Sequence, residues 1–362
     1  MSKVVRTVAP FGPQHPVLPE PIQLKITCED EKVVDVVPAI GYCHRGIEKA
    51  CELNDFPKNI YICERICGIC SCIHGCSYCE VIERLFGVEI PPRAKYLRVI
   101  WSEMSRIHSH LLWLGLLADA FGLESMFMQF WRIREKILDA MELTTGQRVT
   151  QSVSIIGGVR RDIDSEQQKK CIDIVREVKK ETEELGKVLM NDYTVKARTV
   201  GKGILTREQA ITLGCAGPTL RGSDVAEDCR MQGYQAYGEL GFEPIVEKDG
   251  DSYARAVVRL RETLQSCDLI LEAFSKIPEG EISIKVKGNP PANEAVFRAE
   301  QPRGEVFYYA KGNGTRNLER LKVRTPTFAN IPALLVMLPG CELADVPVIV
   351  LSIDPCISCT ER

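Results

Sequence analysis

Three things are scarce in this 362-residue chain, and each scarcity removes a class of function. No apolar run approaches the roughly 20 residues of a membrane span. The longest, Leu111–Ala118, stops at Asp119, and the apolar C-terminal region is broken by Pro332, Pro339 and Pro347. Charge of one sign is also missing: 46 Lys and Arg stand against 49 Asp and Glu, a formal net charge of -3, so no field gathers nucleic acid or an anionic membrane. The opening MSKVVRTVAPFGPQHP has no apolar core behind its basic residues and reads as no secretory leader, which places the expected site of action in the cytoplasm. Repeats, low-complexity tracts and Ser/Gly linkers are absent, so one domain over 1–362 is expected. IIGGVRRD (155–162) lacks both the G-x-G-x-x-G spacing and the following acidic residue of a dinucleotide loop, and reads as a tight turn.

Cysteine, by contrast, is abundant, with sixteen in the chain. Thiols kept reduced serve metals, catalysis or packing. Cys171, Cys215, Cys229 and Cys267 stand singly and read as small buried hydrophobes. The others gather. RICGICSCIH (65–74) places Cys67 and Cys70 in a C-x-x-C pair, and DPCISCTER (354–362) places Cys356 and Cys359 in a second. Both sulfurs of such a pair can converge on one ion, and Gly68 removes a Cβ that would crowd the turn. The pairs are separated by most of the chain, far beyond the spacing of a zinc ribbon, so the whole fold must build a buried central site. Four thiolates suit zinc, iron-sulfur clusters or nickel and disfavour magnesium or calcium. Arg65 and His74 flank the first pair, Asp354 and Arg362 the second, polar company that a structural zinc site would not require. Cys63, Cys72, Cys76 and Cys79 read as packing rather than a further cluster, and His108 and His110 as core residues; His15 and His44 stay open.

Periodicity predicts a hairpin over 22–37, helices over 94–121, 126–143, 164–191, 223–240 and 252–274, and strands over 281–288, 305–312 and 320–328 with a turn at KGNG. The expected class is α+β, predominantly helical: a β-rich segment over 1–40, a helical core over 91–275, and a mixed part over 281–362 that closes the metal site.

RICGIC with His74, DPCISC, GPQHPVLPE near the start and HRGIEK at 44–49 resemble the large catalytic subunit of nickel-iron hydrogenases, specifically the membrane-bound energy-converting group. The resemblance runs from about residue 10 to residue 362. GPQHP and HRGIEK are shared with the quinone-site subunit of respiratory complex I, which lacks the paired thiolates. The resemblance implies a central helix bundle with β elements near both termini and reversible interconversion of H2 with protons and electrons. It further implies that Cys67, Cys70, Cys356 and Cys359 ligate nickel, and that Cys70 and Cys359 also bridge to an iron carrying carbon monoxide and cyanide. Glu20 would relay the proton, Arg303 of QPRGE would lie over the metal pair aimed by Asp354, and His74 would hydrogen-bond a bridging sulfur. Glu48 would ligate a separate magnesium or iron ion. There the sequence departs from the commoner pattern, because Arg362 stands where a ligand histidine is usual and guanidinium does not coordinate metal. The implied partners are a small subunit with an iron-sulfur cluster, further iron-sulfur and ion-translocating membrane subunits, and ferredoxin, with the chain peripheral on the cytoplasmic side of the membrane. Two rivals remain: a quinone-binding subunit without nickel, and a structural four-cysteine protein holding one zinc.

Overall fold

The computed structural model describes residues 6–16 and 18–362; residues 1–5, which begin the stretch read as no leader, and Val17 of GPQHPVLPE lie outside them. Apolar and polar residues alternate on either side of a charged turn, and β2 (Gln23–Glu29) and β3 (Lys32–Ala39) pair antiparallel as the predicted hairpin. A strand the pattern did not reveal, β1 (Arg6–Phe11), adds to β2. Three helices then lead into the core: α1 (Ile47–Leu53), α2 (Asn59–Glu64) and α3 (Ser71–Phe86).

Pro92 opens α4 (Pro92–Ala120), where a missing N–H costs nothing because the first turn has no partner for it. Most of its residues are buried, apolar ones such as Leu97, Ile100 and Leu111 alongside polar ones such as Arg98, Glu103 and Arg106, so α4 is the central helix. It packs against α5 (Glu124–Thr145) on one side, and further along the chain α6 (Ser165–Asn191) packs on α5. The predicted start of α6 is realised as a capping box, with Asp164 accepting from Gln167 and the Gln167 side chain returning to the Asp164 N–H. Between α5 and α6, the expected tight turn joins β4 (Ser154–Ile155) to β5 (Gly158–Val159). At Gly157 φ is +100°, and a Cβ would lie 2.3 Å from the Ile284 carbonyl oxygen, so only glycine fits.

After α6 come the short α7 (Tyr193–Thr199), α8 (Arg207–Thr212) and α9 (Pro218–Arg221), and then α10 (Ser252–Lys276), which closes the bundle by packing on both α4 and α6. Ile107, Leu111, Trp113, Leu114, Val175 and Ile270 meet in its core. Each such side chain stabilises the fold by about 1.5–3 kcal/mol relative to exposure. Several of the charges buried with them are paired: Arg98 reaches Glu83 at 2.7 Å, and Arg221 meets Glu262 at 2.8 Å, Glu300 at 2.8 Å and Asp228 at 3.1 Å.

The C-terminal part forms a second antiparallel sheet, β6 (Glu294–Gln301), β7 (Gly304–Lys311) and β8 (Arg320–Arg324), with α3 lying across β6 and β7. It ends in α11 (Pro326–Met337), α12 (Val346–Ser352) and α13 (Ile357–Thr360).

Three predictions of secondary structure are corrected. Residues 223–240 are not a helix but irregular chain with two short 3-10 turns, because Asp228 turns back on its own neighbour Arg230 and Gly233 takes a left-handed φ. Residues 281–288 form no ladder; the segment touches the Gly157–Gly158 turn through a single bridge and otherwise runs half-exposed. The last strand stops at Arg324, since Pro326 starts α11. Among the described residues no helix is long and apolar enough to cross a membrane.

Candidate metal centre

The two C-x-x-C pairs meet at the centre of the molecule although they are carried in different ways. Cys67 lies in the loop that leaves α2, and Cys70 is the residue that begins α3, at the positive end of a 16-residue helix where negative charge on sulfur is favoured. Cys356 precedes α13, and Cys359 lies within it. All four are buried. The Cys67 and Cys356 sulfurs are 3.3 Å apart, those of Cys70 and Cys359 3.4 Å apart, and the sulfurs of Cys67, Cys70 and Cys359 all lie within 4.8 Å of one another. Among the described residues this is the only grouping of its kind.

The electrostatics suit a cation. Side-chain hydrogen bonding with Cys356, Cys359 and Cys67 holds the Cys70 pKa well below the usual thiol value, whereas burial and the neighbouring sulfurs push Cys359 well above it. The donor set is all soft sulfur, which fits nickel, iron or zinc and not magnesium or calcium.

Around the sulfurs stand the polar residues. The His74 Nε2 lies 3.4 Å from the Cys359 sulfur, and its Nδ1 is 2.7 Å from the Tyr308 hydroxyl. Burial keeps the Tyr308 phenol protonated, so that hydroxyl donates to Nδ1 and leaves the Nε2 proton facing the Cys359 sulfur. Arg303 donates from Nη2 to Asp354 Oδ1 at 2.8 Å, from Nε to the Asp354 carbonyl at 2.9 Å, and from Nη1 to Ser109 at 3.3 Å. Burial opposes its charge, but Asp354 and the sulfurs of Cys356, Cys67 and Cys70 raise its pKa further and keep it cationic. Asp354 has φ +53°, a left-handed conformation costly for a residue other than glycine, and its second carboxylate oxygen is buried without a partner. Glu20 accepts the Ser358 N–H at 2.8 Å, between the two C-terminal cysteines, and its other side borders an open cleft of about 450 Å³ shaped by Gln14, His15 and Pro16.

Other predicted residues fall elsewhere. The loop turns Arg65 outward: its side chain is exposed and bonds the Tyr61 carbonyl at 3.1 Å. Glu48, expected to ligate a separate ion, stands among cations. Its carboxylate accepts the Val323 N–H at 2.9 Å and is ringed by Arg320, Lys322 and Arg362 at 3.2, 3.5 and 3.4 Å, so the residues present do not fit a third ion. Cys63, Cys72, Cys76 and Cys79 are buried; burial raises their pKa values and keeps them neutral, as packing thiols are. His108 is buried beside Arg134, its pKa pushed down to about 3 by burial, and His110 bonds Glu262 at 3.0 Å. His44 contacts the Glu361 carbonyl at 2.7 Å.

Two further residues join the cysteine segments to residues 41–45. Arg45, inside HRGIEK, donates to the carbonyls of Arg65 at 2.9 Å, Ile66 at 2.6 Å and Ser358 at 3.4 Å, tying both cysteine segments to one guanidinium. Glu361 accepts the N–H groups of Gly41 and Cys43. Arg45 was visible within a recognised motif; Glu361 offered no signal, since a carboxylate accepting backbone amides has no spacing.

Residues 120–289 and 283–362 match the family described as respiratory-chain NADH dehydrogenase, 49 kDa subunit, and residues 45–119 match nickel-dependent hydrogenase. The chain is 40% identical to the carbon monoxide-induced hydrogenase of Rhodospirillum rubrum, covering 98% of each. It is 38% identical to the membrane-bound hydrogenase subunit alpha of Pyrococcus furiosus, over 98% of this chain and 87% of that one. A solved chain of the membrane-bound sulfane sulfur reductase, an archaeal respiratory membrane complex, superposes with a TM-score of 0.94 at 30% identity, covering 98% of both.

Proposed function

The chain belongs to the family that joins the nickel-dependent hydrogenases to the 49 kDa subunit of respiratory-chain NADH dehydrogenase, and from that premise we propose that it is the catalytic large subunit of a membrane-bound, energy-converting nickel-iron hydrogenase, an oxidoreductase that interconverts H2 with protons and electrons. The observation that carries the reading is the buried contact of four sulfurs from the two C-x-x-C pairs, together with a charged Arg303 beside them. Cys67, Cys70, Cys356 and Cys359 would hold a nickel-iron centre of the kind that carries carbon monoxide and cyanide on its iron, with Cys70 and Cys359 as the sulfurs offered to both metals. When bound, that centre supplies heterolytic cleavage of H2 and its reverse.

The chain's own residues do the rest. Glu20 takes a proton leaving the Cys359 side and passes it to the open cleft beside it. Arg303, always charged, presents fixed positive potential over the sulfurs, and Asp354 holds it in place. His74 donates to Cys359 and tempers the electron density of that sulfur. Electrons leave through a small subunit carrying an iron-sulfur cluster, with ferredoxin as carrier and membrane subunits that translocate ions; the chain sits peripherally on the cytoplasmic face. A quinone-binding role uses none of the four sulfurs, and a structural zinc leaves Glu20 and Arg303 without a task.

The test is metal content of the anaerobically purified native complex together with its infrared spectrum. Nickel and iron with carbonyl and cyanide bands are expected; zinc alone, without those bands, overturns the reading.

A further inference from the structure

A carboxylate half-buried near a cation site is neutralised by a metal or by side chains. Glu48, in the first turn of α1, has both oxygens engaged: Oε1 accepts the Val323 N–H and faces Arg362 Nε, and Oε2 faces Arg320 and Lys322. Arg320 and Lys322 are two residues apart on β8 and therefore project from one face of that strand. Arg320 is shared further with Glu52 at 2.6 Å. Arg362 arrives from the opposite direction, its side chain 11% exposed, its Nη1 bonded to the Thr360 carbonyl at 2.6 Å and its guanidinium 5.7 Å above the Phe328 ring. A hard divalent ion would need about six oxygens close around it. Here the second nearby carboxylate, Glu361, is turned to the Gly41 and Cys43 amides, and three cations already surround the first.

We propose that Arg362 takes the place of a bound cation: its guanidinium, with Arg320 and Lys322, neutralises Glu48 and pins the segment carrying Cys356 and Cys359 against α1 and β8, so that this side of the centre closes without a third metal ion. The inference concerns closure of the same site as the proposed function, and its readouts are independent of nickel. The α1 side and the Glu361 contacts act in concert, since residues 41–48 meet the segment 358–362 at Glu361, Ser358 and Arg362.

The experiment uses the anaerobic native complex. Mn²⁺, as a probe for a hard-ion site, is titrated in and read by electron paramagnetic resonance, and amide exchange over 356–362 is followed with and without chelator. The wild type should hold no tight Mn²⁺ that Glu48→Gln removes, and chelator should leave its exchange unchanged. Arg362→Met should speed exchange over 356–362 at least tenfold, and Arg362→Lys should restore most of the protection. If Arg362→Met does not assemble, Glu48→Gln gives the same readout from the other partner. One tight Mn²⁺ per wild-type chain that depends on Glu48, or exchange that ignores both variants, overturns the proposal. Nickel measured on the same samples separates this result from the fate of the hydrogenase reading, which fails only if nickel is missing from the wild type.

Discussion

The two halves of the sulfur cluster are built by opposite means. Cys67 and Cys70 belong to a helix start embedded in the core: α3 lies against β6 and β7, and the arms of Arg45 hold the carbonyls just before Cys67. Cys356 and Cys359 belong to a helical turn only four residues long, held mainly by what surrounds it. Thr327 accepts the Cys356 N–H, Thr325 donates to the Cys359 carbonyl, Glu20 accepts the Ser358 N–H, and Arg362 and Glu361 reach back to residues 41–48. One half is thus a rigid seat and the other a flap kept shut by side chains. The lesson is that a precise donor set does not need two stable elements, only one that is rigid and a second that is over-determined by contacts.

Mutation can break that contrast, and the largest effect should come from the sulfurs themselves. Cys359→Ser and Cys67→Ser should each abolish the nickel-iron centre and H2 turnover, yet amide exchange should loosen over 354–362 in both while α3 stays protected. Equal loosening of α3 would erase the difference between seat and flap. Next, Arg303→Lys keeps charge but loses the fork that grips Asp354; turnover should fall about 10²–10³-fold with nickel retained, and unchanged turnover would remove Arg303 from the reaction. Glu20→Gln sharpens the contrast from the flap side: isotope exchange between H2 and water should drop by about 10²-fold or more with both metals bound, whereas loss of metal would make Glu20 a structural clasp. The smallest effect is expected at Arg45→Ala, which removes three hydrogen bonds to seat and flap; destabilisation of about 1–3 kcal/mol should appear as faster exchange in the flap, and a variant indistinguishable from wild type would show that the guanidinium ties nothing.

Much of this was legible in the sequence because it is local. The α6 start is spelled by Asp164-Ser165, the start of α4 by Pro91-Pro92, and the convergence of four cysteines by two short motifs. What was hidden is non-local. Residues 223–240 have helical spacing, but Asp228 and Arg230 are drawn into the buried charge network with Arg221, Glu103 and Glu300, and that pairing outweighs propensity. Residues 281–288 alternate as a strand does, yet alternation records only a half-buried extended chain and cannot say whether a partner lies alongside. Glu48 was readable as an acidic residue near the site, but not as one already claimed by Arg320 and Lys322, because those come from a strand far along the chain.

The contact between Cys67 and Cys356 spans 289 positions of sequence. Any ion held by both is therefore a cross-link that closes nearly the whole polypeptide into a ring. By the loop-entropy relation used for disulfides, a closure of that length withdraws about 5–6 kcal/mol of freedom from the unfolded chain. Loading the centre would thus do for the fold what a long-range disulfide does for a secreted protein, with a metal as the removable pin, and the thermal history of the apoprotein and the loaded protein should diverge accordingly.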